Sequence, residues 1–335
     1  MAPITMCATG IQKLIENLPT NSAPGPDNIS TKLLKLCKYE ASTLLCLLFQ
    51  QSLQTGIIPA NWKEANVTPI FKSGQRNELT NYRPISLTSV PSKMMEHVIF
   101  SNIMDHLSVN NLLFVNQHGF RRYHSCETQL FEFVTDLHQN LHSKTETHAI
   151  FIDFQKAFDK VPHQRLLLKL RALQIEPSVI QWISNFLVDR SQSVCYECES
   201  SCQGKVRSGV PQGTVLGPSL FLLHINDLSA TIQSTIRLYA DDCVIYRKIS
   251  SVHDCIELQN DLIKIETWCL KWQMNINISK TKFLNFSTKR SPADFNYTLF
   301  DGVLEHVHTY KYLGVYFASN ISWEAHINHI SAKAN

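Results

Sequence analysis

Apolar residues recur at helical spacing in many parts of the chain. This period predicts helices over residues 12–18, 93–107, 127–141, 163–173, 180–186, 219–232 and 252–271. A further helix is expected from a cap at Asp27 or Ser30 to a stop at Gly56 and Pro59. Pro162 opens the helix that follows it, because proline is favoured in a first turn.

Strand-like segments separate these helices. They are residues 67–71, 81–87, 149–153, a hairpin over 194–206, a hairpin around 236–246, and alternating segments after Phe283. The run 149–152 is wholly apolar and ends at Asp153, which predicts a buried central strand with a carboxylate at its C-terminal end. Lys72 precedes a turn at Ser73 and Gly74, and residues 209–218 form a loop rich in glycine and proline.

Two adjacent acids, Asp241 and Asp242, lie between the β-prone runs 236–239 and 243–246. This pattern predicts a hairpin with its negative charge at the tip. Neighbouring carboxylates repel each other, and a hard cation such as Mg²⁺ would remove that repulsion. Since aspartate is common in turns, the pair by itself is better explained as an ordinary turn.

Composition narrows the class of protein. The 335 residues are 44% hydrophobic and 18% charged, which is typical of an ordered globular chain with two or three subdomains. A net charge of +3 permits a nucleic-acid partner without arguing for one. Two segments, 160–171 and 271–290, carry basic residues and no acid, and each could line a phosphate backbone or be a solvated face.

The ten cysteines lack a pairing rhythm and no signal peptide precedes them, so we expect reduced thiols in an intracellular protein. Cys195, Cys198 and Cys202 are close in sequence, but no fourth ligand follows at zinc-site spacing, which disfavours zinc. No apolar run approaches the length of about 18 residues that a membrane span needs, so no membrane partner is expected.

Asp153, Asp241 and Asp242 would meet if their strands are neighbours in one sheet. Three carboxylates can hold two metal ions about 3.5–4 Å apart, the arrangement used for in-line phosphoryl transfer. The sequence alone shows only that these acids lie on strand-like supports.

Eight ordered motifs resemble the reverse transcriptase domain of non-LTR (LINE-type) retrotransposons. They are APGPD at 23–27, NYRPISL at 81–87, QHGFR at 117–121, DFQKAFDKVPH at 153–163, GVPQGTVLGP at 209–218, YADD at 239–242, SKTK at 279–282 and YLG at 312–314. YADD alone would be a weak signal, but so many matches in order exclude chance. The resemblance implies an RNA-directed DNA polymerase that uses two Mg²⁺ ions, or Mn²⁺ in their place, and whose partners are an RNA template, a DNA primer and dNTPs.

The resemblance also implies roles for particular residues. Asp153, Asp241 and Asp242 would be catalytic metal ligands, and Lys280 would protonate the pyrophosphate leaving group, with Lys282 as its alternative. Phe158 matches the steric gate that excludes a 2′-hydroxyl, although core packing explains it equally well. The residues implied in binding the dNTP are Lys72, Arg83, Phe154, Ala157, Phe158, Gln212 and Gly213. The residues implied in holding the primer end are Tyr312, Leu313 and Gly314.

The implied fold is α+β, a right-hand polymerase with fingers of helices and strands, a ferredoxin-like palm and a thumb that is largely absent. We expect an N-terminal helical extension at 1–54, fingers at 55–148, a palm at 149–317 in which 175–208 belongs partly to the fingers, and the start of a thumb at 318–335. The alternatives are an inactive remnant that only binds RNA, an RNA-dependent RNA polymerase, and another phosphoryl-transfer enzyme.

Overall fold

The computed structural model describes residues 1–72, 74–197 and 199–334 and contains both helices and sheets, which confirms the α+β class. The chain divides into two compact units. The first unit is Met1–Leu112 with Phe158–His224, and the second is Leu113–Ala157 with Ile225–Asn335. In this division, residues 158–224 belong with the N-terminal part of the chain.

The helices and strands are as follows. The α-helices are α1 (Ala8–Asn17), α2 (Thr31–Leu36), α3 (Lys38–Thr55), α4 (Val90–Val109), α5 (Cys126–His142), α6 (His163–Ala172), α7 (Pro177–Leu187), α8 (Leu216–Ile225), α9 (Val252–Trp272) and α10 (Glu324–Ala334). The strands are β1 (Glu64–Phe71), β2 (Tyr82–Leu87), β3 (Glu146–Asp153), β4 (Arg190–Tyr196), β5 (Glu199–Ser200), β6 (Gly204–Val206), β7 (Thr235–Tyr239), β8 (Asp242–Ile249), β9 (Lys282–Phe286), β10 (Thr298–Leu299), β11 (Gly302–Val303), β12 (Glu305–His306), β13 (Thr309–Tyr312) and β14 (Val315–Ala318). Short 3₁₀ helices lie at Ala60–Trp62, Leu79–Asn81 and Leu228–Thr231.

Most predicted elements are present, and two predictions were wrong in their bounds. The helix expected from Asp27 or Ser30 to Gly56 is two helices, because the backbone leaves helical geometry at Cys37 (φ −110°, ψ 37°). Ser30 is the cap, since its hydroxyl accepts a hydrogen bond from the Leu33 amide at 3.2 Å. The helix expected over 219–232 begins at Leu216 and ends at Ile225, and a separate 3₁₀ helix follows at Leu228–Thr231. The earlier start puts Pro218 in the first turn, where proline is tolerated.

Three expectations extend to residues that the structure does not describe: the turn at Ser73, the cluster containing Cys198, and the chain end at Asn335. The cysteines within the described ranges are all free thiols. Among the helices of those ranges, none has the length and apolar character needed to cross a membrane.

The first unit packs helices beside a mixed sheet in which the strands follow the order β2-β1-β4-β5, with β6 also paired to β4. Trp182 of α7 is fully buried, and its indole N–H donates to the Ser52 hydroxyl of α3 at 3.0 Å. Phe49 of α3 packs edge-on against Trp62 at 5.8 Å. These contacts form a hydrophobic core within the first unit.

The glycine-rich loop before α8 is held against β2. The Ser86 amide donates to the Gln212 carbonyl at 3.1 Å, and Gly213 has a φ of +96°. A Cβ at Gly213 would lie 2.5 Å from the Ser86 carbonyl oxygen, so the loop can approach this closely only with glycine.

Buried Glu96 of α4 holds the end of the same loop. One of its oxygens, Oε2, accepts hydrogen bonds from the amides of Val215 at 2.8 Å and Leu216 at 3.1 Å. The other oxygen accepts one from the Ser92 hydroxyl at 3.2 Å. Glu96 therefore caps the start of α8 from another helix and fixes where the loop ends.

The second unit is built on a sheet with the strand order β12-β9-β3-β8-β7. β3 is the middle strand, as predicted, and it runs antiparallel to both β8 and β9. Phe133 of α5 is fully buried and packs edge-on against Phe151 of β3, Tyr246 of β8 and Phe317 of β14. One aromatic ring thus joins a helix, two central strands and a later hairpin.

We expect Phe133→Ala to lower the free energy of unfolding by about 3–5 kcal/mol, because it leaves a cavity among well-packed rings. Urea denaturation followed by circular dichroism measures this loss. Phe131→Ala is the matched control on the same helix, where the side chain is 73% exposed, and it should change stability by no more than about 0.5 kcal/mol. Equal effects of the two substitutions would contradict the packing argument.

Burial raises the pKa of Glu96 above its usual range, although its hydrogen bonds and Arg190 oppose this. The unfolded chain then loses this proton at lower pH than the folded chain, so the contribution of Glu96 to stability falls as pH rises between the two pKa values. Glu96→Gln keeps an acceptor for both amides and does not titrate. We therefore expect the stability difference between Glu96→Gln and wild type to shift in favour of the variant as pH increases from about 4.

Urea denaturation of both proteins over a series of pH values tests this expectation. Glu40→Gln, at an exposed position on α3, is the control for replacing a glutamate. A difference between Glu96→Gln and wild type that stays constant with pH would contradict the role assigned to burial.

Candidate functional site

The predicted acids become neighbours through strand pairing. β3 and β8 pair in a register that sets Asp153 directly opposite Asp242. Directly opposed residues in an antiparallel pair point to the same face, with Cβ atoms about 4.5–5.5 Å apart. The condition that the strands be neighbours is therefore confirmed.

Asp241 lies in the tight turn between β7 and β8. Tyr239 pairs with Asp242, so the turn consists of Ala240 and Asp241 alone. Ala240 is 7% exposed and has a φ of 56°, which matches the positive φ that two-residue hairpin turns require. The backbone thus places Asp241 immediately beside the opposed pair.

A segment before β9 holds the end of β3. The Asn277 amide donates to the Asp153 carbonyl at 2.7 Å, and the Asp153 amide donates to the Thr281 hydroxyl at 3.2 Å. Phe154 forms a β-bridge with Ile276. These bonds fix the backbone from which the Asp153 side chain projects.

Lys280 lies in a turn, whereas its alternative Lys282 is the first residue of a strand. The Lys280 amide closes this turn on the Asn277 carbonyl at 3.2 Å, and β9 begins only at Lys282. Lys280 is exposed. The Lys282 ammonium forms an ion pair with Glu305 and also donates to the Ser279 carbonyl.

The hairpin formed by β13 and β14 packs under the acids. Tyr310 stacks on Phe151 of β3 with ring centroids 4.2 Å apart. Burial, and then the negative charges of Asp242 and Asp153, raise the pKa of the Tyr310 phenol to about 12. Sequence reasoning missed Tyr310, although it is two residues from the YLG motif.

The predicted primer-holding residues divide between the core and the hairpin turn. Tyr312 is 3% exposed and its hydroxyl accepts a hydrogen bond from Gln129 at 2.9 Å. Leu313 and Gly314 form the turn with φ values of 46° and 89°. A Cβ at Gly314 would meet no atom within 4 Å, so this turn has open space around it.

The first unit collects another group of predicted residues. Arg83 of β2 pairs with Ile70 of β1, and the Lys72 amide bonds to the Asn81 carbonyl at 2.8 Å, so both cations lie at one hairpin with exposed side chains. The Gln212 amide group donates to Asp159 at 3.1 Å. Gln212 also lines a cavity of about 230 Å³.

Phe158 is half-buried in the same unit and stacks on fully buried Phe221, with ring centroids 4.6 Å apart. Phe154 and Ala157, in the second unit, are 5% and 3% exposed. With their side chains buried, these two residues offer mainly backbone groups to a ligand.

Carboxylate oxygens are the ligands that Mg²⁺ prefers, so the donor chemistry of Asp153, Asp241 and Asp242 fits this ion. Within the described ranges, however, no three His, Cys, Asp or Glu side chains form a ready-made group for a metal ion. The chain supplies suitable donors on adjoining strands without a preassembled cage.

The segment at 116–119 has a structural role that sequence reasoning did not assign. It runs alongside β7 through a parallel bridge between Gln117 and Leu238. The Gln117 side chain also accepts a hydrogen bond from the Ala240 amide at 3.1 Å. The signal available in the sequence was the QHGFR motif, which had been recognised without a role.

Comparison with known proteins agrees with this geometry. Residues 70–317 match the family described as "Reverse transcriptase (RNA-dependent DNA polymerase)". The chain is 31% identical over 336 residues to the "RNA-directed DNA polymerase from mobile element jockey" of Drosophila funebris, covering 97% of this chain and 36% of that protein. It is 30% identical over 328 residues to the "Probable RNA-directed DNA polymerase from transposon BS" of Drosophila melanogaster, covering 95% and 36%.

The chain thus spans little more than a third of the length of these relatives. Their names confirm the resemblance to non-LTR retrotransposon enzymes that the ordered motifs indicated. Since the family match covers most of the chain, including both the mid-chain aspartate and the aspartate pair, the chain belongs to the reverse transcriptase family.

Proposed function

We propose that this chain is an RNA-directed DNA polymerase that extends a primer with dNTPs on an RNA template. The observation that carries the proposal is the register of β3 and β8, which opposes Asp153 and Asp242 beside the turn that holds Asp241. The family match supports the same reaction.

In this reaction the primer 3′-hydroxyl attacks the α-phosphate of the dNTP and pyrophosphate leaves. Asp153, Asp241 and Asp242 would hold two Mg²⁺ ions. When bound, these ions would lower the pKa of the attacking hydroxyl and neutralise charge on the triphosphate. The protein contributes the sheet and the turn that set the backbone positions from which the three carboxylates project.

The remaining predicted residues act on the dNTP. Arg83 and Lys72 are exposed cations at one hairpin, where they can pair with phosphate oxygens. Lys280 donates a proton to the leaving pyrophosphate; the ion pair of Lys282 with Glu305 favours Lys280 for this role. The buried side chains of Phe154 and Ala157 leave their backbone groups for the triphosphate.

We assign residues 55–148 to the fingers and residues 149–317 to a ferredoxin-like palm, after an N-terminal helical extension at 1–54. The grouping of residues 158–224 with 1–112 supports the expectation that 175–208 belongs partly to the fingers. Gln212 and Gly213 contact the nucleotide and template, and the turn at Leu313 and Gly314 holds the primer end. Residues 318–335, which contain α10, begin the thumb.

We expect Asp241→Asn to reduce primer extension by about 10³-fold, because it removes a charged metal ligand worth several kcal/mol. Extension of an oligo(dT) primer on poly(rA) with Mg²⁺ or Mn²⁺ measures this loss. Asp301→Asn is the matched control, since Asp301 is exposed in a loop of the same unit and has a positive φ that asparagine tolerates. Unchanged extension by Asp241→Asn, or RNA binding by wild type without any extension, would contradict the proposal.

Phe158→Ala should admit ribonucleotides if the ring excludes a 2′-hydroxyl. The stack of Phe158 on Phe221 holds the ring in one orientation, which a steric gate requires. We expect the preference for dNTP over rNTP, as the ratio of kcat/KM values, to fall by about 10–10²-fold. Phe131→Ala, an exposed position, is the matched control. An unchanged ratio would leave Phe158 as a packing residue.

A further inference from the structure

The segment 116–119 is joined to β7 by a series of backbone hydrogen bonds. The Leu238 amide donates to the Asn116 carbonyl at 3.0 Å, and the His118 amide donates to the Leu238 carbonyl at 2.9 Å. The Asn116 side chain also donates to the Ile236 carbonyl at 3.2 Å. The segment therefore acts as a short extra strand along β7, up to the turn that carries Asp241.

At the end of this extra strand, one side chain bridges the segment and the turn. The Gln117 side-chain oxygen accepts hydrogen bonds from the Gly119 amide at 2.8 Å and the Ala240 amide at 3.1 Å. Gln117 is 1% exposed, so water cannot replace either bond. Its side-chain nitrogen has no hydrogen-bond partner among the described residues. The contacts of Gln117 with the turn thus depend on the oxygen alone.

The turn needs such a constraint because Ala240 occupies the left-handed region with a φ of 56°. A residue with a Cβ is strained there and keeps this conformation only where its surroundings hold it. Gly119 lies so close that a Cβ on it would be 2.3 Å from the Ala240 nitrogen. The backbone contact at Gly119 and the hydrogen bond that the Ala240 amide donates to Gln117 therefore involve the same peptide group.

Other contacts hold the hairpin further from its tip. Arg237 of β7 donates to Asp136 of α5 at 2.8 Å and to the Tyr246 hydroxyl of β8 at 2.6 Å, and it also pairs with Glu132. This ionic group fixes the strands to α5 before the turn begins. It makes no hydrogen bond to Ala240, whose amide bonds to Gln117.

We propose that Gln117 is a positioning residue whose side-chain oxygen holds the Ala240 amide and thereby fixes the turn that presents Asp241 and Asp242. This inference rests on the proposed polymerase function. Gln117 is buried, and it acts through the backbone of the turn. A displacement of about 1 Å in catalytic groups is enough to cost about 10²-fold in rate.

Two substitutions test the role of the Gln117 side-chain oxygen separately from that of the rest of the side chain. Gln117→Met keeps the approximate length and removes the acceptor. Gln117→Glu keeps the acceptor and replaces an amide nitrogen that has no partner in the described chain with a second carboxyl oxygen, which burial keeps in the protonated form. Gln259→Met is the matched control: Gln259 of α9, in the same unit, bonds through its side chain to the Thr298 amide at 2.9 Å and carbonyl at 3.0 Å, away from the turn.

Hydrogen exchange at the Ala240 amide in the 335-residue chain is the first measurement. We expect Gln117→Met to accelerate this exchange by about tenfold, the effect of losing one hydrogen bond, while Gln117→Glu and Gln259→Met exchange as slowly as wild type. If Gln117→Met does not fold, Gln117→Glu decides: slow exchange supports the inference and fast exchange overturns it.

Primer extension kinetics are the second measurement. We expect Gln117→Met to lower kcat by about 10²-fold with an unchanged KM for dNTP, because the turn moves and the dNTP contacts do not. Gln117→Glu should recover most of kcat, and Gln259→Met should keep it. The inference would be overturned if kcat fell no further in Gln117→Met than in Gln259→Met. It would also be overturned if the Ala240 amide of Gln117→Met exchanged as slowly as in wild type.

The two proposals fail in different ways. A wild-type chain that extends no primer contradicts the polymerase function, whereas exchange at Ala240 still shows whether Gln117 holds the turn. An active wild type with unchanged exchange in Gln117→Met contradicts only the inference about Gln117.

Discussion

The antiparallel pairing of β3 with β8 is the interaction on which the rest of the structure depends. It runs from Glu146 opposite Ile249 to Asp153 opposite Asp242. Because side chains alternate between the two faces of a sheet, a slip of one residue would send the carboxylates to opposite faces. The same slip would move buried side chains such as Phe151 and Val244 out of their packing. The free energy that stabilises the core therefore also fixes the relative position of the acids.

Aromatic packing extends this control beyond the two strands. Phe133 joins α5 to β3, β8 and β14, and Tyr310 stacks on Phe151 close enough to Asp153 and Asp242 for their charges to raise its pKa. A change in this core would shift the hairpin of β13 and β14 together with the acids. The same aromatic rings therefore stabilise the core and fix the position of the acids.

Two features that destabilise the folded chain occur together around the acids, as is common at functional sites. Carboxylates are crowded on neighbouring backbone positions, and Ala240 is held in a left-handed conformation. The surrounding chain compensates with short backbone contacts at Gly119, and the amides of Asp153 and Ala240 donate hydrogen bonds to Thr281 and Gln117. A similar restraint occurs in the first unit. There the buried Glu96 side chain accepts hydrogen bonds from the amides at the start of α8 and so restrains the glycine-rich loop.

The sequence by itself determined the α+β class, most helices, the apolar strand that ends at Asp153 and the hairpin that carries Asp241 and Asp242, because these depend on local periodicity. It also determined the family, because the motifs occur in order along the chain. Tertiary structure decided what local pattern does not encode: the opposition of Asp153 to Asp242, the break at Cys37, the turn at Lys280, and the contact of Gln117 with Ala240. The opposition of the acids and the contact of Gln117 with Ala240 join residues that are far apart in the chain, so no local pattern carries a signal for them. The roles proposed for Lys72, Arg83 and Phe158 come from the family resemblance. The structure adds that the Lys72 backbone and Arg83 belong to one hairpin and that Phe158 stacks on Phe221.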